Sequence, residues 1–356
     1  RNASSHNISP YVEYSTKVIE GPIDNIGLPI NRSIIIVLIP EGVDTPYIHD
    51  SGRIYLRIAD NTEPQEVKDR NLLDRLYSRR ERMLSKRRRF LETRRIGISN
   101  DQPVLNVYLL TNPNFDKDYQ ATSLSTFTKI FDSPIGTGID KYHIPMETIH
   151  SVPEGLIAKH TQRNERLTDH ISFRWWHDGN ALISIPINVL EFQYNSTITS
   201  NYEHYDRFLA ICLERGLKDA KAVDLSKLLM ALLGLLSSYI SLIEETQKDP
   251  EISLSFSLFN CGNYLPFIND ENFIGDLELR GVPIVEENGL QIPSLDEECR
   301  LITLTSPSNT QAKPMEREIA LAKYISEGIL KSVGISSENE PLINRYKSLL
   351  DFKGVS

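Results

Sequence analysis

At 356 residues the chain is about twice the length of a typical domain, so two domains are expected rather than one. Its 40% hydrophobic and 24% charged residues form an ordinary globular mixture, which excludes a low-complexity or largely disordered chain. The net charge of −9 excludes a protein that coats nucleic acid over its whole surface, but it conceals a segregation. Residues 75–95 hold ten Lys/Arg against two Glu, a net +8, so everything else carries −17.

Two features bear on the compartment. Cys212, Cys261 and Cys299 are odd in number, far apart and without a Cys-x-x-Cys pair, which argues against a disulfide framework or a zinc site and suits a reducing cytosol. No signal peptide opens the chain, and a start at Arg1 rather than Met is expected of a fragment or of a protein that has lost its N-terminal part.

In chain order, Ser33–Ile39 is a short continuous apolar run closed by Pro40 and Gly42, the pattern of a strand buried on both faces. Asp50-Ser51-Gly52 supplies a turn into Arg53–Ala59, which alternates cleanly. Ile54, Leu56 and Ile58 point to one face; Arg53, Tyr55 and Arg57 point to the other. Thr62-Glu63-Pro64-Gln65 reads as a capping box with proline in the first turn, predicting a helix from about residue 63 to about 94. Val67, Leu73, Leu76, Met83, Leu84, Phe90 and Leu91 give that helix an apolar stripe. Roughly 45 Å long at 1.5 Å per residue, it is expected to project, to break near Ser85 or to pack on a partner.

Residues 96–102 read as a domain boundary, followed by an α+β pattern. Val104–Thr111 is strand-like, and Phe173–Ile187 reads as a hairpin with a type I′ turn at Asp178-Gly179. Of Trp175 and Trp176, one ring faces the core and the other faces outward, as core or as an interface residue. Tyr202–Gly216 and Asp224–Gln247 are helical, with Asp224 as N-cap of the second. Its apolar run Leu228–Ile243 falls short of the roughly 20 residues a bilayer requires and reads as a buried core helix. Ile252–Leu258 alternates Ser with large apolar residues and should keep one wet face. Strands are predicted at Asp276–Leu279 and Arg300–Thr305, and helices at Met315–Val333 and Leu342–Phe352.

Two constellations could carry chemistry. The alternating strand sets the Arg53 and Arg57 guanidinium forks on either side of the Tyr55 ring, a surface able to grip phosphates and stack a base. Taken alone, it also reads as an edge strand with solubilising arginines. The helix adds Arg75, Arg79, Arg80, Arg82, Lys86, Arg87, Arg88, Arg89, Arg94 and Arg95, a cationic strip suited to salt-dependent phosphate contacts or to a solvated, charge-balanced face.

Other chemistries find little. Gly136-Thr137-Gly138 has no following Lys-Ser/Thr and reads as a plain turn rather than a nucleotide loop. The histidines at 143, 150, 160, 170, 177 and 204 fall on separate elements without metal-ligand spacing. No Gly-x-Ser-x-Gly elbow is present, and Cys212 reads as a core residue within a helix.

Pro46-Tyr47, the run Gly52-Arg53-Ile54-Tyr55-Leu56-Arg57, Asn61-Thr62 and the helix with Leu-x-x-Arg repeats together resemble the C-terminal half of the Schlafen AlbA-like domain. That family is described as putatively DNA-binding or as a divergent AAA-type ATPase. Residues 34–40 are similar to its apolar strand running into a proline, and the resemblance covers roughly residues 10–90. Ala59-Asp60 departs from the glycine that follows the Tyr-x-Arg strand in many bacterial members. The family's earlier half, with a Glu-Phe-Lys strand, an Ala-Asn-x-x-Gly-Gly turn and a Gly-Val-x-Asp strand, has no counterpart in this sequence. In nuclease members that half holds the catalytic carboxylates and their divalent metal, so no residue here inherits a catalytic role.

The expectation is an α+β protein: residues 1–96, by the resemblance, as a truncated mixed α/β AlbA-like module with its long basic helix, and residues 97–356, by their strand and helix pattern, as a larger α+β domain of unassigned role. The resemblance implies a cytoplasmic nucleic-acid-binding protein, contacting DNA or RNA, in bacterial regulation or antiviral (anti-phage) defence. The site would comprise Arg53, Tyr55, Arg57, Arg79, Arg80, Arg82, Lys86, Arg87, Arg88 and Arg89. No cofactor, metal or membrane is called for, and a homo-oligomer or protein partner would meet the 63–94 helix. The alternatives are a metal-dependent Schlafen-like nuclease whose carboxylates lie outside this sequence, and an assembly protein that docks through the basic helix.

Overall fold

The computed structural model describes residues 7–9, 14–22, 25, 27–39, 46–56, 64–93, 103–111, 122–132, 144–160, 171–187, 189–190, 202–217, 221–246, 252–284, 289–292, 302–304, 316–332, 335 and 346. Antiparallel sheets and separate helices make the protein α+β, and the chain divides into two units, residues 1–88 and 89–356.

Among its described residues, the first unit holds three strand pairs followed by most of one helix. β1 (Ile8–Ser9) pairs with β4 (Ile48–His49), β2 (Ser15–Glu20) with β3 (Ser33–Leu38), and β5 (Tyr55–Leu56) with β6 (Gln65–Glu66), all antiparallel. The apolar run in β3 was expected to be buried on both faces. Instead Ile34, Ile35, Ile36, Val37 and Ile39 are exposed, because β2 is the one strand paired with it among the described residues. Continuous apolarity records a demand for burial; it does not supply the covering layer.

Helix α1 spans Arg70–Thr93, starting later than the Thr62 capping box predicted. Pairing of Tyr55 with Glu66 and of Leu56 with Gln65 draws residues 65–66 into a strand, so tertiary hydrogen bonding overrides the local helix-start signal. The cap is Asp69, whose carboxylate accepts the Asn71 amide hydrogen at 2.8 Å while its carbonyl accepts that of Leu73 at 3.0 Å. The helix runs without a break at Ser85, for about 36 Å.

The second unit is built on an eight-stranded antiparallel sheet. In chain order come β7 (Val104–Leu110), α2 (Leu124–Asp132), β8 (Thr148–Val152), β9 (Gly155–Lys159), β10 (Ser172–Trp176) and β11 (Ala181–Pro186). Next are β12 (Val189–Leu190), α3 (Tyr205–Glu214), β13 (Lys221–Asp224), α4 (Leu225–Thr246), β14 (Ile252–Phe259) and β15 (Tyr264–Phe267). α5 (Glu271–Arg280), β16 (Gly289–Ile292), β17 (Ile302–Leu304) and α6 (Glu316–Ser332) complete it. The sheet order is β16-β14-β7-β11-β10-β9-β8, with β17 also on β14; β12, β13 and β15 form a small separate sheet in which β13 and β15 run parallel.

One face of the large sheet packs Leu105, Val107, Leu109, Ile183, Phe173, Trp175, Leu254 and Phe256 into a single core with α4 and its neighbours. α4 is the one described helix long and apolar enough to cross a membrane, but 67% of its apolar window is buried inside the protein, as a core helix requires. Asp224 caps it as expected, accepting the Lys227 amide hydrogen at 3.1 Å. That carboxylate also accepts the Tyr202 hydroxyl, and burial followed by the Asp224 charge raises the Tyr202 pKa above the ordinary phenol range.

The other face corrects the expectation of a wet side on β14. Ser253, Ser255 and Ser257 are buried along with the apolar residues between them. The register places Ser184, Asn106, Ser257 and Gln291 in one lateral row across β11, β7, β14 and β16. Ser184 Oγ donates to Asn106 Oδ1 at 2.7 Å, and Gln291 Nε2 donates to Ser255 Oγ at 3.2 Å. The row satisfies part of its own hydrogen bonding across the strands, which offsets the cost of removing these side chains from water.

One of the two tryptophan rings was expected to face outward, but Trp175 and Trp176 are both buried. Phe90 and Leu91 at the end of α1 form a second apolar cluster with Trp176, Tyr108, Leu110 and Leu182; the Phe90 and Trp176 ring centres are 5.1 Å apart, edge to face. The hairpin is present, but its turn is not type I′. Gly179 takes φ 80°, whereas Asp178 is not among the positive-φ residues that a type I′ turn would demand. The Gly179 amide donates to Trp176 O and the Trp176 amide to Asn180 O, closing a three-residue loop with glycine in the left-handed position. Residues 276–279 are helical rather than a strand, because Asp270 caps α5 by accepting the Asn272 amide hydrogen at 2.9 Å. Ile302–Leu304 and Glu316–Ser332 match their predicted strand and helix. The boundary segment, the Gly136–Gly138 turn and most of the predicted last helix lie outside the described residues.

Candidate nucleic-acid interface

The predicted Asp50-Ser51-Gly52 turn forms, with Gly52 at φ 77°. The Gly52 amide donates to His49 O at 2.8 Å and the His49 amide to Arg53 O at 2.9 Å, which fixes the direction in which Arg53 leaves the turn. His49 Nδ1 lies 2.6 Å from Asp50 Oδ1, and the His49 ring meets Tyr55 edge-on with centres 5.8 Å apart. Tyr55 is exposed and Leu56 half-buried, as the alternation predicts. Arg57 lies outside the described residues, so the pair of forks around Tyr55 is described for Arg53 alone.

Arg53 has a carboxylate nearby. Its Nη1 lies 3.7 Å from Glu66 Oε2, and Lys68 Nζ lies 3.6 Å from the same oxygen. One carboxylate thus stands between two exposed cations, a net positive trio held by distances too long for strong hydrogen bonds. Such exposed pairs contribute roughly 0–1 kcal/mol and yield readily to a phosphate that offers more charge. Sequence reasoning missed Glu66 and Lys68 because it placed them inside the helix; their signal was the charge alternation after Pro64.

The helix separates the predicted cations by position. At 100° per residue, Arg75, Arg79, Arg82 and Lys86 fall within about a 60° arc and span about 17 Å of the axis. Arg75, Arg82 and Lys86 are exposed and Arg79 is half-buried. Arg89, exposed like Arg88, follows one turn later on the same side. Arg82 folds along the helix, its Nε donating to Ser78 O at 3.2 Å and its Nη2 to Arg75 O at 3.2 Å. This holds the guanidinium flat against the cationic row.

Arg87 corrects the expectation of an open cationic face. It is 8% exposed and lies on the same side as the buried Met83, so it is not available to a phosphate in this arrangement. The Arg80 side chain and residues 94–95 lie outside what is described.

Burial pushes the Cys212 and Cys261 thiols up to about 12, which leaves both unreactive near neutrality. Among the described residues no group of three or more His, Cys, Asp or Glu could hold a metal ion. His160 sits 3.2 Å from Glu147, and His204 sits 3.4 Å from Glu271, each as a separate pair. Comparison with protein families, curated proteins and solved structures returns no match for this chain.

Proposed function

We propose that this chain is a cytoplasmic nucleic-acid-binding protein of the Schlafen AlbA-like type, acting in bacterial regulation or anti-phage defence. The observation that carries the reading is the row of Arg75, Arg79, Arg82 and Lys86 along one side of α1, in a protein whose remaining residues are strongly acidic. Four cations over about 17 Å match a polyanion with regularly spaced charges, not a compact anion. Arg53 and Lys68, sharing Glu66, form a second cationic group in the same unit, and Tyr55 offers an exposed ring beside it for stacking.

The acidic remainder gives the proposal a specific consequence. Non-specific coating is disfavoured by the overall charge, so binding should be confined to one face and fall steeply with salt. With about four phosphate contacts, the slope of log K against log salt is about −3.6, or roughly a hundredfold loss between about 50 and 200 mM. The test is binding of short single- and double-stranded DNA and RNA across a salt series. No binding at about 50 mM, or an affinity indifferent to salt, overturns the proposal.

A further inference from the structure

The described residues of the first unit bury little. Among the described residues up to Arg88, the buried ones are Pro46, Met83 and Arg87. Meanwhile the β2–β3 ribbon carries Val18, Ile34, Ile35, Ile36, Val37 and Ile39 exposed, together equal to about three whole aliphatic residues in water. This is on the order of 500 Å² of apolar surface, divided between the two faces of the ribbon. An isolated two-stranded ribbon is at best marginally stable in water, and a third strand or a covering layer is what ordinarily secures it.

The two edges of the ribbon are not equivalent. β2 carries Lys17 and Glu20, while Ser33–Ile39 has no charge at all, so β3 lacks the guard that keeps exposed edges apart. The ladder also shows which backbone groups are unused. Gly21 donates to Arg32 O at 2.9 Å, which makes that pair a hydrogen-bonded one, and the antiparallel alternation then pairs Ile19 with Ile34 and Lys17 with Ile36. The amide and carbonyl groups of Ser33, Ile35 and Val37 therefore point away from β2, along the open edge.

We propose that two copies of this chain join edge to edge through β3, in an antiparallel four-stranded sheet about a two-fold axis at Ile36. In this register Ile35 exchanges hydrogen bonds with Val37 of the second copy, Ser33 with Ile39, and Ile36 lies opposite its own counterpart. The uncharged strand is its own best complement: it meets no opposing charge, and the side chains along the β3–β3 seam are aliphatic on both faces. The contact gives the outward amide and carbonyl groups of both β3 strands partners in place of water. An isologous contact of this kind closes on itself and stops at two copies.

The test is the mass of the full chain in solution by sedimentation equilibrium, expected at twice the chain mass. Ile35→Pro removes an outward amide but no bond to β2, and should return the mass to one chain with the far-UV circular dichroism unchanged. Val18→Pro, on the charged opposite edge, should leave the dimer intact. A wild-type protein that stays monomeric at every concentration, or a dimer indifferent to Ile35→Pro, overturns the proposal. Should Ile35→Pro fail to fold, Ile36→Cys decides. Facing itself across the axis at a non-hydrogen-bonded position, with Cα atoms about 4.5 Å apart, it should form an intermolecular disulfide on mild oxidation. Leu279→Cys, more exposed still and remote in sequence, should not; equal cross-linking of the two, or none at Ile36→Cys, overturns the proposal.

Discussion

Replacing Phe90 with alanine would test how the last turn of α1 is anchored. The ring is 1% exposed and meets Trp176 at 5.1 Å and Tyr108 at 5.8 Å, both edge to face. Removing a fully buried phenylalanine costs about 3–5 kcal/mol, of which each aromatic pair accounts for about 0.5–1.5. For a unit of this size each kcal/mol moves the midpoint by about 2–4 °C, so Phe90→Ala should lower it by on the order of 10 °C. The chain has two tryptophans, Trp175 and Trp176, and both sit in the hairpin, so intrinsic fluorescence reports on the damaged spot itself. The emission should shift to the red as water reaches Trp176, while Leu279→Ala, at an exposed position, should change neither signal. A Phe90→Ala midpoint within about 2 °C of wild type, with unshifted emission, would refute the packing of Phe90 against Trp176 and Tyr108.

Three further outcomes are expected. Asp224→Ala removes the N-cap of α4 and the acceptor of the Tyr202 hydroxyl together, and should cost about 2–3 kcal/mol by urea denaturation. Cys212 and Cys261 are raised from 9.0 to about 12 by burial, and Tyr202 is raised above its ordinary 10.0, so all three stay neutral in the folded protein at pH values where the unfolded chain ionises them. The unfolded chain then binds fewer protons, so their contribution is fully present below about pH 9 and is lost as pH rises towards 12; urea midpoints that hold constant across that window would contradict this. Ser184→Ala and Asn106→Leu together should be tolerated better than Asn106→Leu alone, because the single change removes the acceptor of the buried Ser184 hydroxyl; the double-mutant cycle measures the coupling.

How far the sequence disclosed this protein depends on the range of the interactions involved. The Asp224 cap, the Asp50–Gly52 turn and the core helix from Leu228 to Ile243 are local signals, and each appears where its residues place it. Thr62-Glu63-Pro64-Gln65 failed because a strand partner at Tyr55–Leu56 claimed the same residues, a competition that no short window contains. Ser253, Ser255 and Ser257 were rightly seen to share one face, but what opposes them is Leu110, Tyr108 and Asn106 of β7, about 150 residues earlier in the chain. The bareness of β3 was illegible for the same reason, since its apolarity is identical whether or not a second layer exists. In the candidate site the helical period placed Arg75, Arg79, Arg82 and Lys86 together, while the burial of Arg87 and the sharing of Glu66 needed three dimensions.

The central claim is that the cationic row on α1 meets a polyanion. Its most direct test is the salt dependence of nucleic-acid affinity for the wild-type chain beside the combined variant Arg75→Gln, Arg82→Gln and Lys86→Gln. The account predicts that the variant binds more weakly to every sequence alike and that its slope against log salt is shallower by about 0.9 for each phosphate no longer neutralised, about 2.7 for the three together. A variant whose affinity and slope match those of the wild type would contradict it.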